Sequence, residues 1–145
     1  MEIVGYTGGT FDLFHVGHLR LLQRAKKQCD TLIVGVNTNE VVKEYKNHLP
    51  IIPCHDRIEI IQSLDCVNFV EQRNTRDIKT TFKQHSFSKI FIGSDWKDST
   101  RWKIQVKELG NKYNFKVIFI PYTKHISSSK IIDRIEWMGI NERSK

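Results

Sequence analysis

The chain has 145 residues, 39% of them hydrophobic and 27% charged, which suits one soluble globular domain around one core and excludes disordered or fibrous classes. Its longest apolar runs are short, such as Ile118–Ile120, far below a membrane span of about 20 residues, and three scattered cysteines without a CxxC pair exclude a disulfide framework or zinc knuckle. The formal net charge of +7 suits an anionic partner, while the short basic tail 141–145 is too small to argue for nucleic acid.

Met1 leads almost directly into Glu2-Ile3-Val4, which reads as a strand rather than a signal peptide. That strand runs to Thr7, and Gly8-Gly9 reads as a break. Leu21, Leu22, Ala25 and Cys29 recur at helical spacing, which predicts a helix from about Val16 to Gln28. Thr31–Val36 is a near-continuous apolar run, as expected of a strand buried on both faces. Asn37 or Thr38 can cap a short helix, and Tyr45–Cys54, with two prolines, reads as a loop. Asp56 opens a helix carrying Ile60, Ile61 and Leu64. A strand over Val67–Val70 and a helix with Ile78 and Phe82 follow. Lys89–Gly93 reads as a strand, and Ser94–Thr100 as a polar loop. Trp102, Val106, Leu109 and Tyr113 mark one face of a helix, and Lys116–Ile120 the last strand. After Pro121, Ser127–Ser129 offer caps to a helix carrying Ile131, Ile135 and Met138.

Roughly five strands thus alternate with five helices in a single domain, residues 1–145. Such alternation predicts an α/β fold with a doubly wound, five-stranded parallel sheet. Ligands in such sheets bind beyond the carboxyl ends of the strands, so the polar loops after the first, fourth and fifth strands are the places to search.

The first of these loops reads Gly8-Gly9-Thr10-Phe11-Asp12-Leu13-Phe14-His15-Val16-Gly17-His18. It matches neither GxGxxG nor a P-loop. It still has what a phosphate site needs: glycines that let backbone approach an anion, and a helix start that presents free N–H groups. His15 and His18 lie three apart and share one helical face, with Gly17 leaving room for a ligand. No convergent Cys or carboxylate set accompanies them, so no metal cage is predicted.

The string Gly9-Thr10-Phe11-Asp12 followed by His15-Val16-Gly17-His18 resembles the GTFDxxHxGH hallmark of the cytidylyltransferases among the HIGH-type nucleotidyltransferases. The resemblance runs to about Ile135, and the glycerol-3-phosphate cytidylyltransferase branch is nearest in length and later motifs. It implies a Rossmann-like fold and transfer of a cytidylyl group from CTP to a small alcohol phosphate, best glycerol 3-phosphate, with Mg²⁺ accompanying the triphosphate. His15, His18 and Lys46 would be catalytic, and Gly9, Thr10 and Phe11 would cradle the triphosphate. Asp12 is a candidate substrate contact. Arg57 has two readings, a phosphate ligand or a surface partner of Asp56 or Glu59. Lys43 is the alternate to Lys46, and His48 stands where the family can carry a second lysine.

Gly93-Ser94-Asp95-Trp96 resembles the family's GDDW segment, which implies nucleotide binding by Asp95 and a ligand contact at Trp96. Pro121–Lys130 resembles its RTEGIST(S/T) signature and implies nucleotide binding by Tyr122, Thr123, Ser127, Ser128 and Ser129. Tyr122 replaces the expected arginine and His125 the expected glycine; Asp65 and Asn68 also depart from the subfamily. The resemblance further implies a homodimer, and reduced thiols fit a cytoplasmic setting. Alternative acceptors are phosphocholine and phosphoethanolamine. The stretch Leu49–Arg57 is similar to heptose-phosphate adenylyltransferases, so ATP is an alternative nucleotide. A nucleotide-binding module without turnover is a different class, and weak, salt-dependent, sequence-independent nucleic-acid binding is the third.

Overall fold

The computed structural model describes residues 1–93 and 100–143, with side chains through residue 140. Five strands, β1 (Val4–Gly9), β2 (Thr31–Asn37), β3 (Phe69–Arg73), β4 (Lys89–Gly93) and β5 (Lys116–Ile120), form one sheet in the order β3-β2-β1-β4-β5. Every pairing is parallel. Among the described residues six helices accompany them, one for each helical segment taken above in chain order: α1 (Val16–Lys26), α2 (Asn39–Lys46), α3 (Cys54–Gln62), α4 (Ile78–His85), α5 (Thr100–Tyr113) and α6 (Ser128–Arg143).

Successive strand side chains point to opposite faces, so one apolar run feeds two cores. Leu32, Val34 and Val36 of β2, with Phe91 of β4 and Ile120 of β5, pack under Leu22 and Ala25 of α1 and Ile61 of α3. Tyr6 of β1, with Ile90 and Ile92 of β4, packs against Ile78 of α4 and Val106 of α5. Each fully buried aliphatic side chain contributes about 1.5–3 kcal/mol. In α6, Ile131 and Ile132 are half-buried, while Ile135, Trp137, Met138 and Ile140 are exposed.

Two boundaries differ from expectation. Gly8 and Gly9 do not break β1; they pair with Gly35 and Val36 and carry the strand to the cavity edge. Close approach is what these glycines serve. A Cβ on Gly8 would lie 2.5 Å from Arg73 Nη1, and one on Gly35 would lie 2.0 Å from the Tyr6 hydroxyl. The third helix begins at Cys54, with Pro53 as its N-cap, rather than at Asp56. A proline has no N–H to leave unsatisfied at a helix start, so it marks the boundary better than the acidic residue.

The order reverses between β1 and β4, and a crevice opens beyond the carboxyl ends at that switch point.

Candidate active site

That crevice is a cavity of about 570 Å³. Its lining joins the ends of β1, β2, β3 and β4 to the loop before α1, the end of α2 and the start of α6.

The loop before α1 is held in an uncommon shape. Phe11 and Leu13 have φ of 55° and 50°, the left-handed region that side chains rarely adopt. Burial of Phe11 in the core offsets that strain. The loop delivers His15 to the N-cap of α1, where its Nδ1 accepts from the Gly17 N–H at 3.0 Å. His18 returns the contact, its Nδ1 accepting from the His15 N–H at 3.3 Å. Two imidazoles thus replace the hydroxyl and carboxylate of an ordinary capping box. They stack with centroids 3.8 Å apart, and the Phe11 edge meets His18.

An Nδ1 that accepts cannot carry the proton, so in each neutral ring the proton sits on Nε2. Burial lowers the pKa of His15. Burial, followed by the neighbouring His15 and opposed by Asp12, pushes His18 down to about 3. The pair therefore offers two neutral N–H donors at physiological pH.

Gly17 has a role beyond the expected one. A Cβ there would lie 2.8 Å from His15 Cε1, so its missing side chain makes room for the imidazole, while Gly17 itself also lines the cavity.

The lining brings together nearly every other expected residue: Gly9, Thr10, Phe11, Asp12, Lys46, Tyr122, Thr123, Ser127, Ser128 and Ser129. Lys46 is exposed at the last turn of α2. Thr10 Oγ1 is 2.8 Å from the Tyr45 hydroxyl and accepts from Asn37 Nδ2. Ser127 Oγ accepts from the Lys130 N–H at 3.1 Å, as a helix cap does. Ser128 Oγ donates to the Asp12 carbonyl at 2.5 Å, tying the α6 start to the first loop. Lys43 and His48 are exposed and stand outside the cavity lining. Asp95 and Trp96 lie outside the described residues.

Two expectations are corrected. Arg57 is neither a cavity ligand nor a surface partner; it is 1% exposed. Its guanidinium donates to the carbonyls of Ile52, Thr10 and Asn37, each at 2.8 Å, and to Asn39 Oδ1 at 2.9 Å. It clamps the ends of β1 and β2 to the approach of α3. Asp12 lines the cavity, but its carboxylate accepts from the N–H groups of Ile51 and Ile52 at 2.8 and 2.9 Å. An acceptor so engaged fastens one loop to the other and is poorly suited to contact an anionic substrate.

Sequence reasoning missed Arg73, Arg76, Tyr45 and Asn37, all of which line the cavity. Arg73 ends β3, and a polar residue at a strand's carboxyl end was the available signal.

With the geometry in place, likeness to known proteins becomes informative. Residues 6–134 match the family described as cytidylyltransferase-like. The chain belongs to that family. A glycerol-3-phosphate cytidylyltransferase from Bacillus spizizenii is 35% identical over 86% of this chain and 91% of its own length. An FAD synthase from Thermococcus onnurineus is 36% identical over 88% of this chain and 87% of its length. The bifunctional protein HldE of Geotalea uraniireducens is 33% identical, and the chain spans only 28% of that protein. Among solved structures, the lipopolysaccharide core biosynthesis protein from Thermoplasma volcanium superposes with a TM-score of 0.72 at 24% identity, covering 87% of this chain and all of that one. Pantothenate synthetase from Thermus thermophilus gives 0.64 at 17%, covering 90% and 61%. These two establish the shared fold. The cytidylyltransferase-like chain described here is thus a nucleotidyltransferase by family.

Proposed function

We propose that the protein transfers a cytidylyl group from CTP to a small alcohol phosphate, best glycerol 3-phosphate, giving a CDP-alcohol and pyrophosphate. The observation that carries this is the stacked His15–His18 pair, with both Nδ1 atoms on backbone N–H groups and both protons left on Nε2. Neutral N–H donors beside a helix N-terminus suit phosphate oxygens that gain charge in a transition state. A phosphate oxygen of the acceptor attacks the α-phosphorus in line. The bond to the bridging oxygen breaks, and pyrophosphate leaves with that electron pair. The nucleophile is already an anion, so no general base is needed; catalysis is positioning and charge stabilisation. Lys46, at the end of α2, adds a positive charge over the phosphates.

Magnesium fits this site as part of the nucleotide. Among the described residues no group of three or more His, Cys, Asp or Glu could hold an ion. An ion carried by the triphosphate would neutralise phosphate charge without a protein cage.

ATP is the second nucleotide to test. Tyr122 stands where the family signature has arginine, and FAD, the product in the name of one relative, contains an adenylyl group. A homodimer and a cytoplasmic setting belong to the same reading; three half-buried free cysteines fit a reducing compartment.

The test is pyrophosphate release with Mg²⁺, pairing CTP and ATP with glycerol 3-phosphate, phosphocholine, phosphoethanolamine and sugar phosphates. Release that requires CTP and glycerol 3-phosphate is expected. Release only with ATP overturns the nucleotide, and nucleotide binding without release from any pair favours a module without turnover. His18→Ala should cut kcat by about a hundredfold or more with little change in Tm. Full retained turnover would remove His18 from the mechanism.

A further inference from the structure

The described cavity contains a strong positive charge that the proposed chemistry has not used. Arg73 lies at the end of β3 with its guanidinium flat against Gly8. Its Nε is buried and has no hydrogen-bond partner. Among the described residues its Nη2 reaches only the Arg76 carbonyl, at a long 3.4 Å. Among the described residues no carboxylate pairs with it within 4 Å. Burial and the nearby Arg76 charge both lower its pKa. A guanidinium left this way is costly, and an anion set between it and the nearby Arg76 charge relieves both the desolvation and the repulsion.

Arg76 completes the arrangement. It lines the same cavity and lies over the Tyr45 ring at 3.9 Å. Tyr45 in turn reaches Thr10 at the catalytic loop. Opposite Arg73 in the strand register is Asn37, whose Oδ1 is a buried acceptor without a donor. One buried donor and one buried acceptor at adjoining strand ends are the complement of a ligand that bears an anion and a hydroxyl.

We propose that Arg73 and Arg76 seat the phosphate of the acceptor and restrict the acceptor to alcohol phosphates without a cationic headgroup. This rests on the nucleotidyltransferase reading above. Two guanidinium forks match the oxygens of a phosphomonoester dianion better than ammonium groups would. A quaternary ammonium would find no free carboxylate in the described lining and would meet the like charges of Arg73 and Arg76: Asp12 is engaged by backbone N–H groups, and Arg76 already lies over the Tyr45 ring.

The experiment uses Arg73→Met, Arg76→Met and Arg73→Lys. In turnover assays the KM for glycerol 3-phosphate should rise about tenfold or more in each Met variant, while the KM for the nucleotide stays within about twofold. Arg73→Lys should recover only part of the loss, because an ammonium lacks the fork. Phosphocholine should be a poorer acceptor than glycerol 3-phosphate by about a hundredfold in kcat/KM; equal efficiency overturns the selectivity. Calorimetric titration with inorganic phosphate and, separately, with CTP decides the seat without turnover. Weakened phosphate binding with intact CTP binding supports it. Weakened CTP binding with intact phosphate binding assigns the arginines to the nucleotide and overturns the proposal. If no pair of substrates turns over, the transferase reading fails while these titrations still judge the arginines. Should Arg73→Met fail to fold, Arg76→Met carries the same test.

Discussion

At the scale of single residues, the site depends on two residues that take no part in the proposed chemistry. Gly17 has no room for a Cβ, which would lie 2.8–2.9 Å from two atoms of the His15 ring. In Gly17→Ala the imidazole must turn and give up its cap. We expect kcat to fall about 10- to 100-fold, while the loss of a cap worth about 1 kcal/mol is largely offset by alanine's better helix propensity, leaving Tm nearly unchanged. Turnover at the wild-type rate would show that the ring's orientation does not matter. Arg57 is the opposite case. Arg57→Met takes a donor from each of three carbonyls and from the Asn39 amide oxygen, which keeps only the Cys54 N–H, a cost of about 3–5 kcal/mol by urea denaturation. A cost below about 1 kcal/mol would mean that water replaces the guanidinium. The sequence shows that Arg57 opens a helix but not that the helix points it inward. A charged residue beside Asp56 and Glu59 reads equally well as surface, and only the meeting of β1, β2 and the Pro53 approach supplies its acceptors. Arg73 carried only its place at a strand's carboxyl end as a signal, because its neighbours in the cavity come from β1 and β2.

At the scale of elements, strands were read best where an apolar run was both short and bounded. Lys89–Gly93 and Lys116–Ile120 were read to the residue. β1 was read short because glycine usually ends a strand, whereas here glycines in mid-sheet admit Arg73 and Tyr6 from neighbouring strands. β3 was displaced toward the N-terminus, since its sequence, FVEQR, is polar, as an edge strand tolerates. Helix starts followed their caps. Thr38 caps α2, and Asp77 caps α4 through the Thr80 N–H and hydroxyl. The Thr80 side chain, above all, holds the Asp77 carboxyl below its usual range. Its contribution is therefore present above the unfolded carboxylate pKa and is lost as pH falls through the lower folded value. Asp77→Ala should cost about 1 kcal/mol at pH 7 and less at strongly acid pH, where only the neutral carboxyl's acceptor remains, measured as the difference in urea midpoints. An equal cost at both pH values would show that Asp77 acts by packing rather than by its charge.

For the whole molecule, the buried imidazole sets an acid limit. His18 is held at about 3 against an ordinary 6.5. Below pH 6.5 the unfolded chain takes up a proton that the folded one refuses, so stability from this group is complete above 6.5 and falls as pH drops toward 3. The loss should be on the order of a few kcal/mol by pH 4. Urea denaturation across that range checks it, and His18→Ala should flatten the slope; an unchanged slope would place the acid sensitivity elsewhere. One further feature makes such measurements direct. Trp102, at the start of α5, lines the cavity, and Trp137 on α6 is 65% exposed. The indole at the cavity wall exchanges water for ligand when the site fills, whereas the exposed one keeps its solvent. Occupancy is thus written into the intrinsic emission: in a Trp96→Phe variant, which removes the third indole, pyrophosphate, which does not absorb in the near ultraviolet, should shift the Trp102 component and leave that of Trp137 as a built-in reference.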